Sequence, residues 1–284
     1  MNYTNPLRSS GLAVTIFATA MVAPVNAASI SFVDQFKNVS NLQTGNGNTL
    51  TGNGAFYSAD LNSTVPNAYT SANFVYPGPG SPATLTVVPT SPTDYHFQTP
   101  SFANKAAMDT AFPFGTYTFH GINVGTDTAS YSYTADDYAQ ANPFLTDTDF
   151  SSLQGMNASH AFTFHLSPFV TGSTASSSFI FLTIFDFNLG TFVFNDGFLA
   201  ASTTTVVLPA NTLAPGHSFV YELDYSNRDI ITGTGGVFSP QLGFDIRTDG
   251  TFSTSAIATP EPATAAAGLI GLALIAGLAY VRRR

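Results

Sequence analysis

The sequence predicts a mainly β fold, an antiparallel β-sandwich of immunoglobulin-like or jelly-roll type. Three observations predict it. Apolar and polar residues alternate with period two over most of the middle of the chain, the spacing of half-buried strands. Turn signals such as Gly190, Asp196-Gly197, Pro215-Gly216 and Asp249-Gly250 fall between the alternating runs. One internal segment alone has helical character, 102–111, with Ser101 as its N-cap and Pro113 closing it. Many short strands with regular turns and a single helix select a sandwich over layered α/β architectures.

The elements follow in order. Residues 30–36, 56–61, 85–88 and 95–97 read as strands, separated by the Gly/Asn-rich loop 46–54 and the Pro/Gly-rich loop 76–82. After the helix, Thr116-Tyr117-Thr118-Phe119-His120 alternates. Residues 161–166 place Phe162, Phe164 and Leu166 on one face and Thr163 and His165 on the other. Residues 179–185 are apolar on both faces, which predicts a central strand covered on each side. Strands are expected at 191–194 and 203–208. Residues 219–225 turn Phe219, Tyr221, Leu223 and Tyr225 inward and Glu222 and Asp224 outward. Runs 241–247 and 251–257 flank Asp249-Gly250, which predicts a hairpin. The folded region 28–258 is one large β domain or two smaller sandwiches, 29–150 and 155–258.

Composition bounds the chemistry. There is no Cys, so thiol nucleophiles, zinc ribbons and iron–sulfur sites are excluded, and the core must hold without disulfides. There is no Trp, so the 26 Phe, with Tyr, must fill the core. Between residues 28 and 258 the bases are Lys37, Lys105, Arg228 and Arg247, set against sixteen acidic residues. Nucleic acid is not an expected partner, because no basic patch exists to displace its counterions.

The two ends carry sorting information. Arg8 precedes an apolar stretch, 11–22, which Pro24 breaks before Val25-Asn26-Ala27, the small residues that signal peptidase requires. This reads as a secretory signal peptide over 1–27, cleaved after Ala27. At the other end Thr259-Pro260-Glu261-Pro262-Ala263-Thr264 leads into an uncharged run over 265–281 and then Arg282, Arg283 and Arg284. As a helix the run is about 25 Å long, near the lower limit for crossing a bilayer. The arginines hold the extreme C-terminus in the cytoplasm. The prolines fix φ and remove donors, keeping an extended stretch outside the membrane.

In order and spacing, Pro260-Glu261-Pro262, the transmembrane segment 263–281 and the arginine cluster resemble the PEP-CTERM sorting signal of exported bacterial proteins. The resemblance covers 259–284 and implies recognition by an exosortase, a membrane protease of the transpeptidase type. It implies transient residence in the inner membrane of a Gram-negative bacterium. Delivery to the cell surface or to an exopolysaccharide matrix, biofilm or floc would follow. Pro260, Glu261 and Pro262 would be a substrate motif, with exosortase and signal peptidase as processing partners.

Candidate chemistry in the middle is thin. His120 and His165 each follow aromatic-Thr-Phe, and in-register pairing would set the imidazoles side by side for a metal, given a third ligand. Asp136-Asp137 and Asp147-Thr148-Asp149 put carboxylates on turns; Asp147 and Asp149 are the candidate Ca²⁺ ligands, and ordinary solvated turns are the competing reading. Glu222 and Asp224 share one strand face and are the pair available to a glycosidase, or simply a polar sheet face. No Gly-x-Ser-x-Gly elbow is present. Tyr69, Tyr76, Tyr131, Tyr133 and Tyr138 lie in loop-like stretches, from which they would stack sugars or pack the loops. The expected function is therefore a non-enzymatic surface or matrix protein with a structural or adhesive role, without a required cofactor. A carbohydrate-binding module and a secreted polysaccharide hydrolase are the alternatives. An aromatic platform on an exposed face would favour the first, and a cleft with paired carboxylates the second.

Overall fold

The alternation becomes one hydrogen-bonded ladder of eleven strands in the computed structural model, which describes residues 29–172, 175–231 and 240–256. The elements are β1 (Ile30–Gln43), β2 (Leu50–Ser63), β3 (Ser71–Val75), β4 (Ala83–Val88), β5 (Ser91–Gln98), α1 (Lys105–Ala111), β6 (Gly115–Ile122), β7 (Thr126–Tyr133), α2 (Asp149–Leu153), β8 (Phe162–His165), β9 (Ser177–Asp186), β10 (Thr191–Ala200), β11 (Thr205–Leu208), β12 (Ser218–Ile230) and β13 (Gln241–Ser253). The ladder runs β10-β9-β12-β13-β1-β2-β5-β4-β3-β6-β7, and β8 and β11 form a separate ribbon. Pairings are antiparallel except β1 with β13.

Aromatic contacts show that the ladder folds over on itself. In a flat sheet β2 and β3, three places apart, would be roughly 14 Å from each other. Yet the Tyr57 ring of β2 lies 6.1 Å from Phe74 of β3 and 6.5 Å from Tyr117 of β6. Tyr57 also stacks at 3.9 Å on Phe112, just past α1. The first core is this aromatic filling, closed by Leu61, Leu85, Met108 and Phe119. Each such buried side chain contributes about 1.5–3 kcal/mol relative to exposure. The second core is aliphatic on one side and aromatic on the other: Ile180, Leu182 and Ile184 of β9 meet Phe219, Tyr221, Leu223 and Tyr225 of β12 beneath Phe164, Val206 and Leu208 of the ribbon.

The two cores are joined along the β1–β13 seam. Lys37 of β1 is buried and holds Asp109 of α1 at 2.8 Å and Asp136 at 3.0 Å. Gln43, at the end of β1, reaches into the second core, accepting from Leu145 N (2.9 Å) and Tyr221 Oη (2.6 Å).

Several expectations are corrected. Asp249-Gly250 is not a hairpin but lies within β13, where Asp249 pairs with Glu222 and Gly250 with Tyr221. Glycine is needed there for space, because a Cβ would stand 2.4 Å from the Tyr221 ring. Asp196-Gly197 is likewise no turn; it forms a bulge inside β10. Helix α1 starts at Lys105 with Asn104 as its cap, accepting from Ala107 N, because Phe102 is held in a bridge to Ala55. Strand β9 is not doubly covered; its inner face is buried, but its outer face borders the edge strand β10 and stays half-exposed.

The signal peptide with Ala27, the motif Pro260, Glu261 and Pro262, the segment 263–281 and Arg282, Arg283 and Arg284 lie outside the described residues. No helix among the described residues is long and apolar enough to cross a membrane.

Candidate functional site

Among the described residues, three of the four exposed phenylalanines, Phe187, Phe192 and Phe198, lie on β10 and the β9–β10 turn. On β9 the aliphatic residues Ile180, Leu182 and Ile184 point inward, so Phe179, Phe181 and Phe185 point outward. Strand β10 contributes two more rings: Phe192 pairs directly with the outward Phe185, and Phe198 lies in the second of two register shifts, which fall between Phe192 and Phe194 and between Asp196 and Leu199. A bulge re-aims the side chains that follow it. Here it turns Phe198 outward with φ 57, a left-handed conformation rare for a bulky side chain. Phe198 is 74% exposed, yet its ring meets Phe181 edge-on at 4.9 Å and Phe179 at 5.5 Å.

A second cluster lies further along β9. Phe185 meets Phe192 at 5.3 Å and Phe187 at 5.8 Å, and both partners are more than half exposed. The β9–β10 turn that carries Phe187 is pinned by Asp186. Its carboxylate accepts from Asn188 N (2.8 Å), Leu189 N (3.1 Å) and His217 Nδ1 (2.8 Å). Burial acts to raise the Asp186 carboxyl, but these donors hold it below the usual range. Between the two aromatic steps lies a polar row, Asn195–Thr183–Glu222, where Thr183 Oγ1 donates to Glu222 Oε2 at 3.4 Å. From Phe181 to Phe185 the strand rises about 13 Å.

Beside the aromatic steps, β12 and β13 present charge. Asp224 is the cross-strand partner of Phe181 on this face. Burial first and the neighbouring Asp245 second push its carboxyl well above the usual carboxylate range. Arg247 pairs with Asp249 (3.0 Å) and Glu222 (3.6 Å). Arg228 pairs with Asp245 at 2.5 Å and lies 4.6 Å over the Phe36 ring. Glu222 and Asp224 are thus part of a mixed-charge sheet face.

A separate carboxyl group cluster crosses β1, β2 and β5. Asp34 and Asp60 are cross-strand partners, and His96 Nδ1 lies 2.5 Å from Asp60 Oδ1. Burial, then repulsion from Asp60, pushes Asp34 up to about 8. The polysaccharide-hydrolase alternative requires such a pair within a cleft. A groove of about 800 Å³ does exist, but it is lined by Asn157, Ser159, Asn211, Thr212 and their neighbours and contains none of these carboxyls.

The sequence-based candidates fall elsewhere. Asp149 opens α2, and its carboxylate accepts from the backbone and Nδ1 of His165. Asp147 is exposed at φ 52. No group of three or more metal-ligating side chains occurs among the described residues. His120 and His165 do not pair. β6 lies between β3 and β7, while β8 pairs only with β11, so the imidazoles belong to different sheets.

Tyr69, Tyr76, Tyr131 and Tyr133 are buried, and Tyr138 packs against the first core, so none forms an exposed platform. Tyr131 and Tyr133 are not in a loop but on β7, and several of the hydroxyls reach the core rim. There Tyr76 and Tyr133 donate to Pro79 O and Phe112 O, and Tyr69 donates to Asp127. Sequence reasoning missed the phenylalanine face. Its available signal was that residues 179–185 place only aromatics on one side, broken by Thr183, and only aliphatics on the other.

No family model matches the chain, and no curated protein matches it. Among solved structures, the FN1–FN3 domains of chicken CNTN1 align at 8% identity and a TM-score of 0.22, covering 82% of this chain and 68% of that one. The BSP domain of a biofilm-associated protein aligns at 12% identity and a TM-score of 0.21, covering 82% of this chain and 30% of that one. Likenesses at these scores carry no argument about function.

Proposed function

We propose that the chain is an exported, surface- or matrix-associated β-sandwich protein with an adhesive, non-enzymatic role, and that it adheres to polysaccharide through the phenylalanine face of β9 and β10. Export rests on the signal-peptide pattern ending at Ala27, and exosortase processing on Pro260, Glu261 and Pro262 with Arg282–Arg284 behind them. The single observation that carries adhesion is Phe198, held at positive φ and 74% exposed in a ring cluster that core packing does not need. Strained conformations persist at sites where they serve a purpose. Exposed aromatic patches mark interaction surfaces. A ring face offers an apolar plane to the C–H face of a pyranose, and the row Asn195–Thr183–Glu222 offers hydrogen-bonding groups between two such planes. Two aromatic steps along one strand suit an extended polymer better than a small molecule.

The test is retention of the full-length chain on immobilised neutral, cationic and anionic polysaccharides, alongside a Phe192→Ala/Phe198→Ala variant. The native chain should be retained on at least one support and the variant on none. Equal retention of both proteins, or none of the native chain on any support, would overturn the proposal.

A further inference from the structure

We infer that the side chains of Lys37 and Asp136 condense to an intramolecular isopeptide bond, which ties β1 to the segment after β7 in a chain that has no cysteine. The two residues stand 99 positions apart, and Lys37 Nζ lies 3.0 Å from Asp136 Oδ1. A lysine is rarely buried unless it is paired. Strand alternation puts this one inside, on the same buried side of β1 as Val33 and Gln35. Its ammonium lies 5.4 Å from the ring centres of Phe114 and Tyr133. Two carboxyls meet it, Asp136 at 10% side-chain exposure and Asp109 at 30%, and the more buried one is the acyl group. Lys105 of α1 completes the set, donating to Asp109 Oδ2 at 2.6 Å and to Asp136 Oδ2. Asp136 is thus held at one oxygen by the nucleophile and at the other by a second cation.

These four groups supply each part of an acyl transfer. Asp109 Oδ1, 2.8 Å from Lys37 Nζ, takes a proton from the ammonium and frees the nitrogen lone pair. The amine attacks Asp136 Cγ, and the Nζ–Cγ bond forms. Negative charge gathers on Oδ2, against the Lys105 ammonium. Asp109 relays two protons in all from Nζ to Oδ1, which departs as water when the Cγ–Oδ1 bond breaks. One ammonium and one carboxylate become one amide and one water, with no oxidant, reductant or co-reactant. Asp109 ends as a carboxylate, paired with Lys105. Burial acts to raise the Asp109 carboxyl, but hydrogen bonds from Lys105 and Lys37 hold it below the usual range, so it stays ionised and relays protons while Asp136 is acylated onto the amine. Two effects drive the reaction. Holding the nucleophile against the carboxyl replaces an encounter in solution. The product also removes a buried ammonium and a buried carboxylate, whose desolvation burdens the unreacted pair.

The experiment is intact-mass measurement of the full-length folded chain, followed by peptide mapping with tandem mass spectrometry. The native chain should be lighter by one water molecule than the mass calculated for its own termini. A branched peptide should join Lys37 to Asp136. Lys37→Met and Asp136→Ala should each show the full calculated mass. Asp109→Asn, which cannot relay the protons, should leave most of the chain uncondensed. In denaturing electrophoresis the closed loop should make the native chain run ahead of Lys37→Met.

A native chain at its full calculated mass would overturn the proposal, and that reading requires no variant to fold. Water is also lost if Asp196-Gly197 or Asp249-Gly250 closes to a succinimide. That ring reopens in mildly alkaline buffer, whereas an isopeptide bond persists. A mass loss that reverses there, or one that Lys37→Met retains, would overturn the proposal. A branch at Asp109 in place of Asp136 would overturn it too, and full condensation of Asp109→Asn would overturn the proton relay.

Discussion

Gln43 Oε1 accepts a 2.6 Å hydrogen bond from the Tyr221 hydroxyl, tying the end of β1 to the centre of β12. The same amide accepts from Leu145 N and donates to Leu145 O and to Gly45 O and Gly47 O of the loop after β1, so one side chain satisfies groups from three segments of the chain. Replacing it with leucine leaves the Leu145 peptide and the Tyr221 hydroxyl buried without partners. Each orphaned group costs about 1–3 kcal/mol, so Gln43→Leu should destabilise the fold by roughly 2–4 kcal/mol. Urea unfolding checks this. Gln43→Leu combined with Tyr221→Phe should be less destabilising than the sum of the two, and strict additivity would show that the bond is not energetically shared.

Lys37 is 3% exposed and lies 5.4 Å from the centres of the Phe114 and Tyr133 rings while holding Asp109 and Asp136. Lys37→Met removes the charge but keeps most of the stem. It leaves Asp136 facing Lys105 alone. Breaking a buried pair from one side typically costs about 3–5 kcal/mol, and a loss near the lower figure is expected because Lys105 remains. An unchanged denaturation midpoint would mean that the network is incidental.

Stability should decline toward alkaline pH. Burial and the neighbouring Asp60 push Asp34 from 3.8 up to about 8, so the folded chain keeps a proton that the unfolded chain releases. Stability from this group therefore falls as pH rises from 3.8 to about 8 and levels off above that. Asp109 and Asp186, held low by their donors, act in the opposite sense and lose their contribution only as pH falls below 3.8. Asp34→Asn should make the pH dependence of the denaturation midpoint shallower across the window, the remaining slope coming from the likewise raised Asp224, Asp94, Asp229 and Asp249, and a slope equal to that of the native chain would contradict this.

Phe198→Asn should separate stability from binding. Asparagine tolerates the left-handed region that φ 57 imposes, and Phe198 is 74% exposed. The unfolding free energy should stay within about 0.5 kcal/mol of native, as for most surface changes, while polysaccharide retention is lost. A large loss of stability would mean that Phe198 is a packing residue.

Changing Pro260, Glu261 and Pro262 to alanine should leave unprocessed precursor in the inner membrane. Intact-mass analysis of surface and membrane fractions checks this, and normal maturation of the variant would remove the sorting proposal.

Much of the fold was legible because half-buried strands alternate. The inward sides of 161–166 and 219–225 read as they stand, Phe164 and Leu166 beneath Phe219, Tyr221, Leu223 and Tyr225. The errors cluster where one local signal has two physical causes. Glycine after aspartate marks a turn when it supplies unusual φ, but Gly250 is there because the Tyr221 ring leaves no room for a Cβ. A run apolar on both faces is buried when something covers each face. Phe179, Phe181 and Phe185 lie next to the edge strand, and strand order cannot be read from periodicity.

The sequence by itself determined which residues face together on each strand and the acidic balance of the folded region. These are properties of neighbours along the chain. Only the tertiary structure decided that β13 lies beside β1, that the tyrosines of loop-like stretches fill the first core, and that a phenylalanine-rich face is left at the sheet's edge beside Asp224 and Glu222. Those relations join residues far apart in the chain. They are set by which strands close the ladder and by a two-residue bulge, neither of which leaves a periodic trace.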